Sequence, residues 1–179
     1  ASWYRDLLDR TATVQSWLME GEPVSFWMSG FFFPQGFLTG TLQAFARTSL
    51  ISIDKLGFDF RVLDFEEDKI TKRPKEGVYI HGLYMEGARW DRKSRVLQDS
   101  YPAETYCYMP IINFRPVEKK DPSSEDYQCP VYKTSTRAGV LSTTGQSTNF
   151  IIAVELASKE SPEYWTLKGA ALICQLNDQ

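Results

Sequence analysis

Residues that carry out metal and thiol chemistry are scarce in this sequence of 179 residues. It contains one histidine, His81, and three widely spaced cysteines, Cys107, Cys129 and Cys174. No C-x-x-C or H-E-x-x-H pattern is present, which argues against a zinc site. An odd number of dispersed cysteines is not typical of a disulfide framework. We therefore expect reduced, mostly buried thiols in a cytosolic compartment.

Signals for nucleotide, membrane and nucleic-acid binding are also missing. Neither G-x-x-x-x-G-K-[ST] nor G-x-G-x-x-G occurs, so we predict no nucleotide cofactor. No apolar run reaches the roughly 18 residues that a membrane span needs, and the first residues do not resemble a signal peptide. The net charge of −3 lacks the positive excess that phosphate binding favours. We therefore expect neither nucleic acid nor membrane as a partner.

The composition is that of an ordered protein, with 42% hydrophobic and 14% aromatic residues. A protein of this length corresponds to one ordinary domain, or to one domain with a small helical appendage. We divide it into a helical segment with an aromatic linker, residues 1–53, and a β-barrel, residues 54–179, which together form one domain.

Two helices are predicted in the first part of the sequence. The first runs from Ser2, which could cap it, to about Glu20, before the stop signals Gly21 and Pro23. Its apolar stripe is Trp3, Leu7, Val14, Trp17 and Leu18. The second helix is predicted at Pro34–Ser49, because proline is favoured in a first helical turn. Its core face would be Leu38, Leu42, Phe45, Ala46 and Ser49.

The segment between and within these helices is unusually rich in phenylalanine and glycine. Val24–Phe32 is predicted to be a buried strand or extended segment. Gly36 and Gly40 each cost about 1 kcal/mol relative to alanine inside a helix, which favours a close backbone neighbour on their face. In Phe31–Phe33, the rings could fill the core, or one could project towards a partner as an anchor, and the two interpretations are compatible for different rings.

Strand patterns dominate the rest of the sequence. Period-two or continuous apolar segments occur at Phe58–Leu63, Val78–Met85, Ala88–Asp91, Tyr106–Phe114, Tyr127–Thr134, Phe150–Leu156 and Lys168–Leu176. The turn signal Glu86-Gly87 predicts a hairpin. Pro110 predicts an edge strand or a bulge, and Pro130 predicts an edge strand. The fold class is therefore α+β, with N-terminal helices followed by a small antiparallel β-barrel or sandwich of about six strands.

Three groups of residues could carry chemistry, each with a structural alternative. His81 could activate a cysteine or serine nucleophile, but the cysteines lie in strand patterns that do not lower a thiol pKa. Trp90 lies among Arg89, Arg92, Lys93 and Arg95. Its ring could be a platform on which nucleobases or a ligand stack, or the segment could be a solvated hairpin with salt bridges. Ser142–Gly145 could bind an anion, or form a turn that satisfies its own backbone.

Four long blocks, in register, resemble the C-terminal domain of dynein heavy chains, especially the axonemal ones. They are FWMSGFFFPQGFLTGTLQAF at Phe26–Phe45, GVYIHGLYMEGARWD at Gly77–Asp91, CPVYKTSTRAGVLSTTGQSTNF at Cys129–Phe150 and WTLKGAALICQLND at Trp165–Asp178. The resemblance covers nearly the whole sequence and implies an incomplete antiparallel barrel after the helices. Leu141–Phe150 is similar to single-headed inner-arm members, although Gln146 stands where these often have histidine.

The resemblance implies a non-catalytic structural and regulatory module of a microtubule motor. Such a module would pack on the AAA+ ring of the same heavy chain, where ATP is hydrolysed, and modulate motor output in the axoneme of a cilium or flagellum. Microtubules and other axonemal dynein subunits would be indirect partners. We expect ring contacts at Trp3, Leu7, Gly36 and Gly40. A free-standing β-barrel enzyme using His81, and a ligand-binding barrel using Trp90, are the alternatives.

Overall fold

Three α-helices are present in the computed structural model, which describes residues 2–123, 125–137 and 149–176. They are α1 (Ser2–Glu20), α2 (Pro34–Ser49) and α3 (Pro162–Leu167). Pro34 occupies the first turn of α2, and Leu50, in the left-handed conformation, follows its last residue. The two predicted helices are therefore confirmed, and α3 is a third helix that was not predicted.

Eleven strands lie in the described ranges, more than the six or so predicted. Two predicted segments, Val78–Met85 and Tyr106–Phe114, are each split into two strands, and short strands are added at Phe26–Trp27 and Val96–Gln98. They are β1 (Phe26–Trp27), β2 (Leu56–Val62), β3 (Val78–His81), β4 (Tyr84–Glu86), β5 (Arg89–Asp91), β6 (Val96–Gln98), β7 (Tyr106–Tyr108), β8 (Ile112–Glu118), β9 (Tyr127–Thr134), β10 (Phe150–Leu156) and β11 (Ala171–Gln175). The mixed α+β class, with helices first, is confirmed.

The strands form two open sheets and a hairpin. One sheet has the order β1-β3-β8-β2, the other has the order β10-β9-β11-β4-β7, and β5 pairs with β6. Closure into a barrel is not found among the described residues. Nor is the pairing antiparallel throughout, because β1 runs parallel to β3 and β9 runs parallel to β11. Parallel pairing needs a crossover connection, and here α2 and α3 lie within the intervening segments.

The predicted hairpin across Glu86-Gly87 is wrong. Gly82 and Gly87 have positive φ angles and bend the backbone between β3, β4 and β5. The three short strands then join three different sheets. The partner of β5 is β6, which lies in a polar stretch with few sequence signals.

The two prolines predicted to mark edge strands have different positions. Pro110 separates β7, which is an edge strand, from β8, which is an interior strand, so the edge prediction for Tyr106–Phe114 holds only for its first part. Pro130 lies in β9, which is an interior strand, so that prediction is wrong. The β9–β11 ladder begins at Val131, paired with Leu172. Pro130 therefore lies one residue before that ladder, where β9 is paired on one side only.

One hydrophobic core joins the early helical segment to the sheets. Phe26, Met28 and Leu38 are buried in the same cluster as the strand residues Ile80 and Phe114. Strand β11 lies at the centre of its sheet and is buried over most of its length. Helix α1 lies at the periphery and adds the half-buried Trp17 to this core. This arrangement leaves much of α1 open to solvent.

Candidate interaction surfaces

Helix α1 is attached to the domain along one narrow side. The indole ring of Trp17 packs edge-on against Phe26, at 5.5 Å between centroids, and against Phe31, at 6.2 Å. Nearer the start of the helix, Arg10 donates a hydrogen bond of 3.1 Å to the side-chain oxygen of Gln175, at the end of β11. The amide of Gln175 in turn donates to Asp6. These contacts fix the orientation of the helix.

Most of the apolar side chains of α1 point away from the core. Trp3 is 73% exposed and Leu18 is 82% exposed. At 3.6 residues per turn, five of the exposed apolar residues span an arc of about 140°. We name this set the α1 face; its members are Trp3, Tyr4, Leu8, Val14 and Leu18. Large exposed apolar side chains that share one side of a helix are typical of an interaction site.

Two phenylalanines continue the exposed apolar surface beyond α1. Phe32 and Phe33 are each more than 60% exposed. The guanidinium group of Arg10 lies 5.4 Å from the centroid of the Phe32 ring, which places Phe32 beside α1. Phe31, in contrast, is half-buried and stacks on Phe37 at 4.2 Å. The phenylalanine triplet therefore divides, with one ring in the core and two outside it.

The four predicted contact residues have different environments. Trp3 belongs to the α1 face, whereas Leu7 is half-buried. A Cβ atom at Gly36 would collide with the Phe33 ring, so this glycine accommodates an aromatic neighbour within the domain. Gly40 is exposed, and a Cβ atom there would meet no described atom within 4 Å. The glycine side of α2 is thus covered at Gly36 and open at Gly40.

Sequence reasoning named Trp3 as a contact residue but missed the exposure of Leu18, Phe32 and Phe33. The predicted stripe on α1 includes Trp17, which does face the core, together with Leu18, which does not. Phe32 ends the segment predicted to be buried, yet its ring lies outside the core. Helical periodicity identifies an apolar face but not what covers it, because that depends on tertiary packing. The excess of large apolar residues on α1 is the available signal.

A second candidate surface is a cleft of about 1040 Å³ between the sheets and α2. Its apolar lining includes Leu38 from α2, Phe58 and Phe60 from β2, Trp90 from β5 and Ile152 from β10. Trp90 is half-buried, since it packs against the core while also lining the cleft. The ring is therefore neither packed fully inside nor an exposed platform.

The basic residues around Trp90 are mostly paired with carboxylates. Arg92 binds Glu66, Arg95 binds Asp64, and Arg89 lies 3.6 Å from Asp91. Arg89 also lies over the ring of Tyr101, at 4.4 Å from its centroid. These salt bridges favour the structural alternative, a hairpin held by ion pairs, over a platform on which nucleobases stack.

The histidine and the thiols do not form a reactive pair among the described residues. His81 Nε2 lies 3.2 Å from a carboxylate oxygen of Glu67. Burial lowers the pKa of His81, and the nearby Glu67 opposes this effect. The thiols of Cys107 and Cys129 donate weakly to backbone carbonyls, and burial raises the pKa of both. High thiol pKa values are the opposite of what a nucleophilic cysteine requires.

Neither a metal cluster nor a membrane-spanning helix occurs in the described ranges. Within them, no group of three or more His, Cys, Asp or Glu side chains is placed to hold a metal ion. No helix there is both long and apolar enough to cross a bilayer. The predicted anion turn at Ser142–Gly145, most of the Leu141–Phe150 block and Gln146 lie outside the described residues.

The fold and its surfaces define an α+β domain with an uncovered apolar helix face. A family model described as the C-terminal domain of the dynein heavy chain matches residues 1–174. This protein therefore belongs to the family of C-terminal domains of dynein heavy chains, and the resemblance noted in the sequence is confirmed.

Relatives of this sequence are axonemal dynein heavy chains. It is 51% identical to dynein axonemal heavy chain 1 of Homo sapiens over 178 residues, which is 99% of this sequence and 4% of that protein. It is 44% identical to human dynein axonemal heavy chain 6 and 48% identical to human dynein axonemal heavy chain 12, again over 99% of this sequence. It spans only 4–6% of the length of these relatives.

Proposed function

We propose that this domain is a non-catalytic structural and regulatory module that docks on the remainder of a dynein heavy chain. The α1 face carries the proposal, because it exposes large apolar side chains in a family whose members continue far beyond this domain. Covering one fully exposed leucine contributes about 1.5–3 kcal/mol. A partner surface that buried several members of the α1 face would hold the domain firmly.

The docking partner that we propose is the AAA+ ring of the same heavy chain. Residues 1–53 and 54–179 share one hydrophobic core, which supports their behaviour as a single rigid body. The proposed ring contacts are Trp3, Leu7, Gly36 and Gly40, extended by Leu18, Phe32 and Phe33 because these are exposed. Gly40 supports a close approach, since the space beside it is open.

A rigid module modulates a motor only if its contacts differ between the states of the ring. A contact that is equally strong in two states shifts no equilibrium between them. The proposed mechanism is therefore differential contact of the α1 face with ring subdomains that move during ATP hydrolysis. The hydrolysis itself takes place in the ring, outside residues 1–179. By similarity to the axonemal relatives, the place of action is the axoneme of a cilium or flagellum, with microtubules and other dynein subunits as indirect partners.

The proposal is tested with a charge placed on the α1 face of the full heavy chain. Leu18→Glu would put an unpaired carboxylate into the docked interface, where burial is strongly unfavourable. We expect this variant to change the velocity of ATP-driven microtubule gliding and to increase protease cleavage around α1.

Leu167→Glu is the matched control, because Leu167 is 89% exposed and lies on α3. We expect this variant to glide at the parental velocity. If Leu18→Glu and Leu167→Glu both behaved like the parent, the proposed docking of the α1 face would be wrong.

A further inference from the structure

Arg10 lies at the edge of the α1 face, next to its apolar side chains. At about 100° per residue, it is displaced from Trp3 by about 20° and from Val14 by about 40° around the helix axis. Phe32 is a further apolar neighbour, since its ring centroid lies 5.4 Å from the guanidinium carbon of Arg10. The positive charge of Arg10 is therefore placed among exposed apolar side chains of the proposed docking surface.

Four arginines in the described ranges are half-buried, and Arg10 is the one without a carboxylate partner there. The other three form salt bridges, Arg89 with Asp91, Arg92 with Glu66 and Arg137 with Glu86. Arg10 donates instead to the neutral side chain of Gln175, at 3.1 Å. Asp6 accepts a hydrogen bond from the Gln175 amide but forms no salt bridge with Arg10. Removing a charge from water without a counter-ion is unfavourable, so this site favours a carboxylate from outside the domain.

One end of the Arg10 guanidinium group is accessible to such a carboxylate. The Nε atom is not, because it is buried within the domain, where it has no hydrogen-bond partner. Nη2 uses one of its N–H groups for Gln175. Nη1 has no partner in the described part of the protein and, unlike Nε, remains in contact with solvent. Its two N–H groups are free to form charge-assisted hydrogen bonds with an incoming carboxylate.

We propose that the rest of the same heavy chain, outside residues 1–179, presents an Asp or Glu carboxylate to Arg10 when it covers the α1 face. The proposal rests on the proposed function and names the chemistry of its docking partner, which is an apolar surface with one acidic side chain opposite Arg10. The relatives supply such a surface from a long polypeptide, since the matching region is only 4–6% of their length.

This ion pair gives the docking a defined register. Apolar contacts are non-directional, so the α1 face alone could settle on a partner in several positions. A charged pair restricts these positions, because a mismatched charge is left buried without a partner. Arg10 suits this role, since Gln175 and the Phe32 ring hold its guanidinium group in place before docking. Arginine is also enriched among the residues that dominate interface affinity.

The proposal is tested by zero-length crosslinking in the full heavy chain. Arg10→Lys keeps the positive charge and introduces a primary amine. A water-soluble carbodiimide joins this amine to a carboxylate in direct contact with it. An amide bond forms, and the carbodiimide takes up the elements of water and becomes a urea. We expect mass spectrometry to locate position 10 joined to one Asp or Glu outside residues 1–179 of the same polypeptide.

Arg5→Lys is the matched control, because Arg5 is exposed and lies about 140° around the helix from Arg10. The yield at position 10 should exceed the yield at position 5 several-fold. Equal yields at the two positions would overturn the proposal. Crosslinks from position 10 only to Asp6 or another residue within 1–179, to a second copy or to another protein would overturn it as well.

A second measurement does not depend on the reach of a lysine side chain. Arg10→Met and Arg10→Glu both lose the hydrogen bond to Gln175, but only Arg10→Glu opposes the proposed carboxylate with a like charge. Asp6→Asn is added to both proteins, so that the acidic neighbour within α1 has no effect. With Leu18→Cys as the reporter, we expect maleimide labelling to be several-fold faster in Arg10→Glu than in Arg10→Met. Equal rates would overturn the proposal.

Labelling of Leu18→Cys with Arg10 retained separates this proposal from the proposed function. Slow labelling there, together with equal rates in Arg10→Met and Arg10→Glu, would overturn the carboxylate proposal alone. Labelling as fast as that of Leu167→Cys would contradict the docking of the α1 face, and the carboxylate proposal with it.

Discussion

Trp17→Ala is the sharpest test of how α1 is held on the domain. Truncating a fully buried tryptophan to alanine costs about 3–5 kcal/mol of stability. Trp17 is only half-buried, and it makes two edge-on ring contacts, each worth about 0.5–1.5 kcal/mol. We therefore expect a loss of about 2 kcal/mol, which corresponds to a roughly 30-fold increase in local opening.

This loss should act on α1 and leave the sheets largely unaffected. Hydrogen exchange of backbone amides, followed by mass spectrometry of the purified domain, measures local opening directly. We expect faster exchange within residues 2–20 and an almost unchanged rate in β11. Trp3→Ala is the matched control, because Trp3 lies on the same helix but is 73% exposed. Its effect should stay within about 0.5 kcal/mol. Equal effects of the two substitutions would refute the attachment of α1 through Trp17.

Three further predictions concern chemistry. Calorimetry of the domain with Mg-ATP should show no binding, because the nucleotide-binding motifs are missing from the sequence; micromolar affinity would contradict the non-catalytic proposal. Burial lowers the pKa of His81, although the charge of Glu67 acts in the opposite direction. The imidazole of His81 is therefore protonated more readily in the unfolded protein than in the folded domain. Stability should therefore fall as the pH drops below about 6.5, and less steeply in His81→Asn; identical urea-unfolding profiles against pH would show the inference to be wrong. Burial raises the pKa of Cys174 to about 12 and also raises that of Cys129. Both thiols should react with a maleimide at about pH 7.5 only after unfolding, and rapid labelling of either in the folded domain would be the contrary result.

The helices and their bounds were predictable because their signals are local. Pro34 fixes the start of α2 and helical spacing extends it to Ser49, so no knowledge of tertiary structure was needed. Strand segments were also recognisable, since Phe58, Phe60 and Val62 alternate with polar residues on β2. Pairing was not predictable in the same way. It depends on where left-handed glycines such as Gly82 and Gly87 turn the backbone, and no residue near them specifies which sheet each short strand joins.

For the interaction surfaces, the sequence predicted an excess of apolar residues but not where they are exposed. The apolar excess on α1 was visible, but its exposure follows from the single line of attachment through Trp17 and Gln175. The cleft could not be predicted from the sequence, because it lies between β2 and β10, and these strands are almost 90 residues apart. In the sequence, Gln35 is an ordinary first-turn residue of α2. Its hydrogen bond to the Phe150 carbonyl depends on tertiary structure and could not be predicted.

Solvent access to Leu18 in the full heavy chain is the most direct measure of docking through the α1 face. Leu18→Cys and Leu167→Cys are compared in their rates of maleimide labelling, each quantified on its own proteolytic peptide. Both positions are more than 80% exposed in the domain by itself. We expect labelling at Leu18→Cys to be many-fold slower than at Leu167→Cys, because the rest of the heavy chain covers it. Equally fast labelling at the two positions would show that the α1 face stays open to solvent.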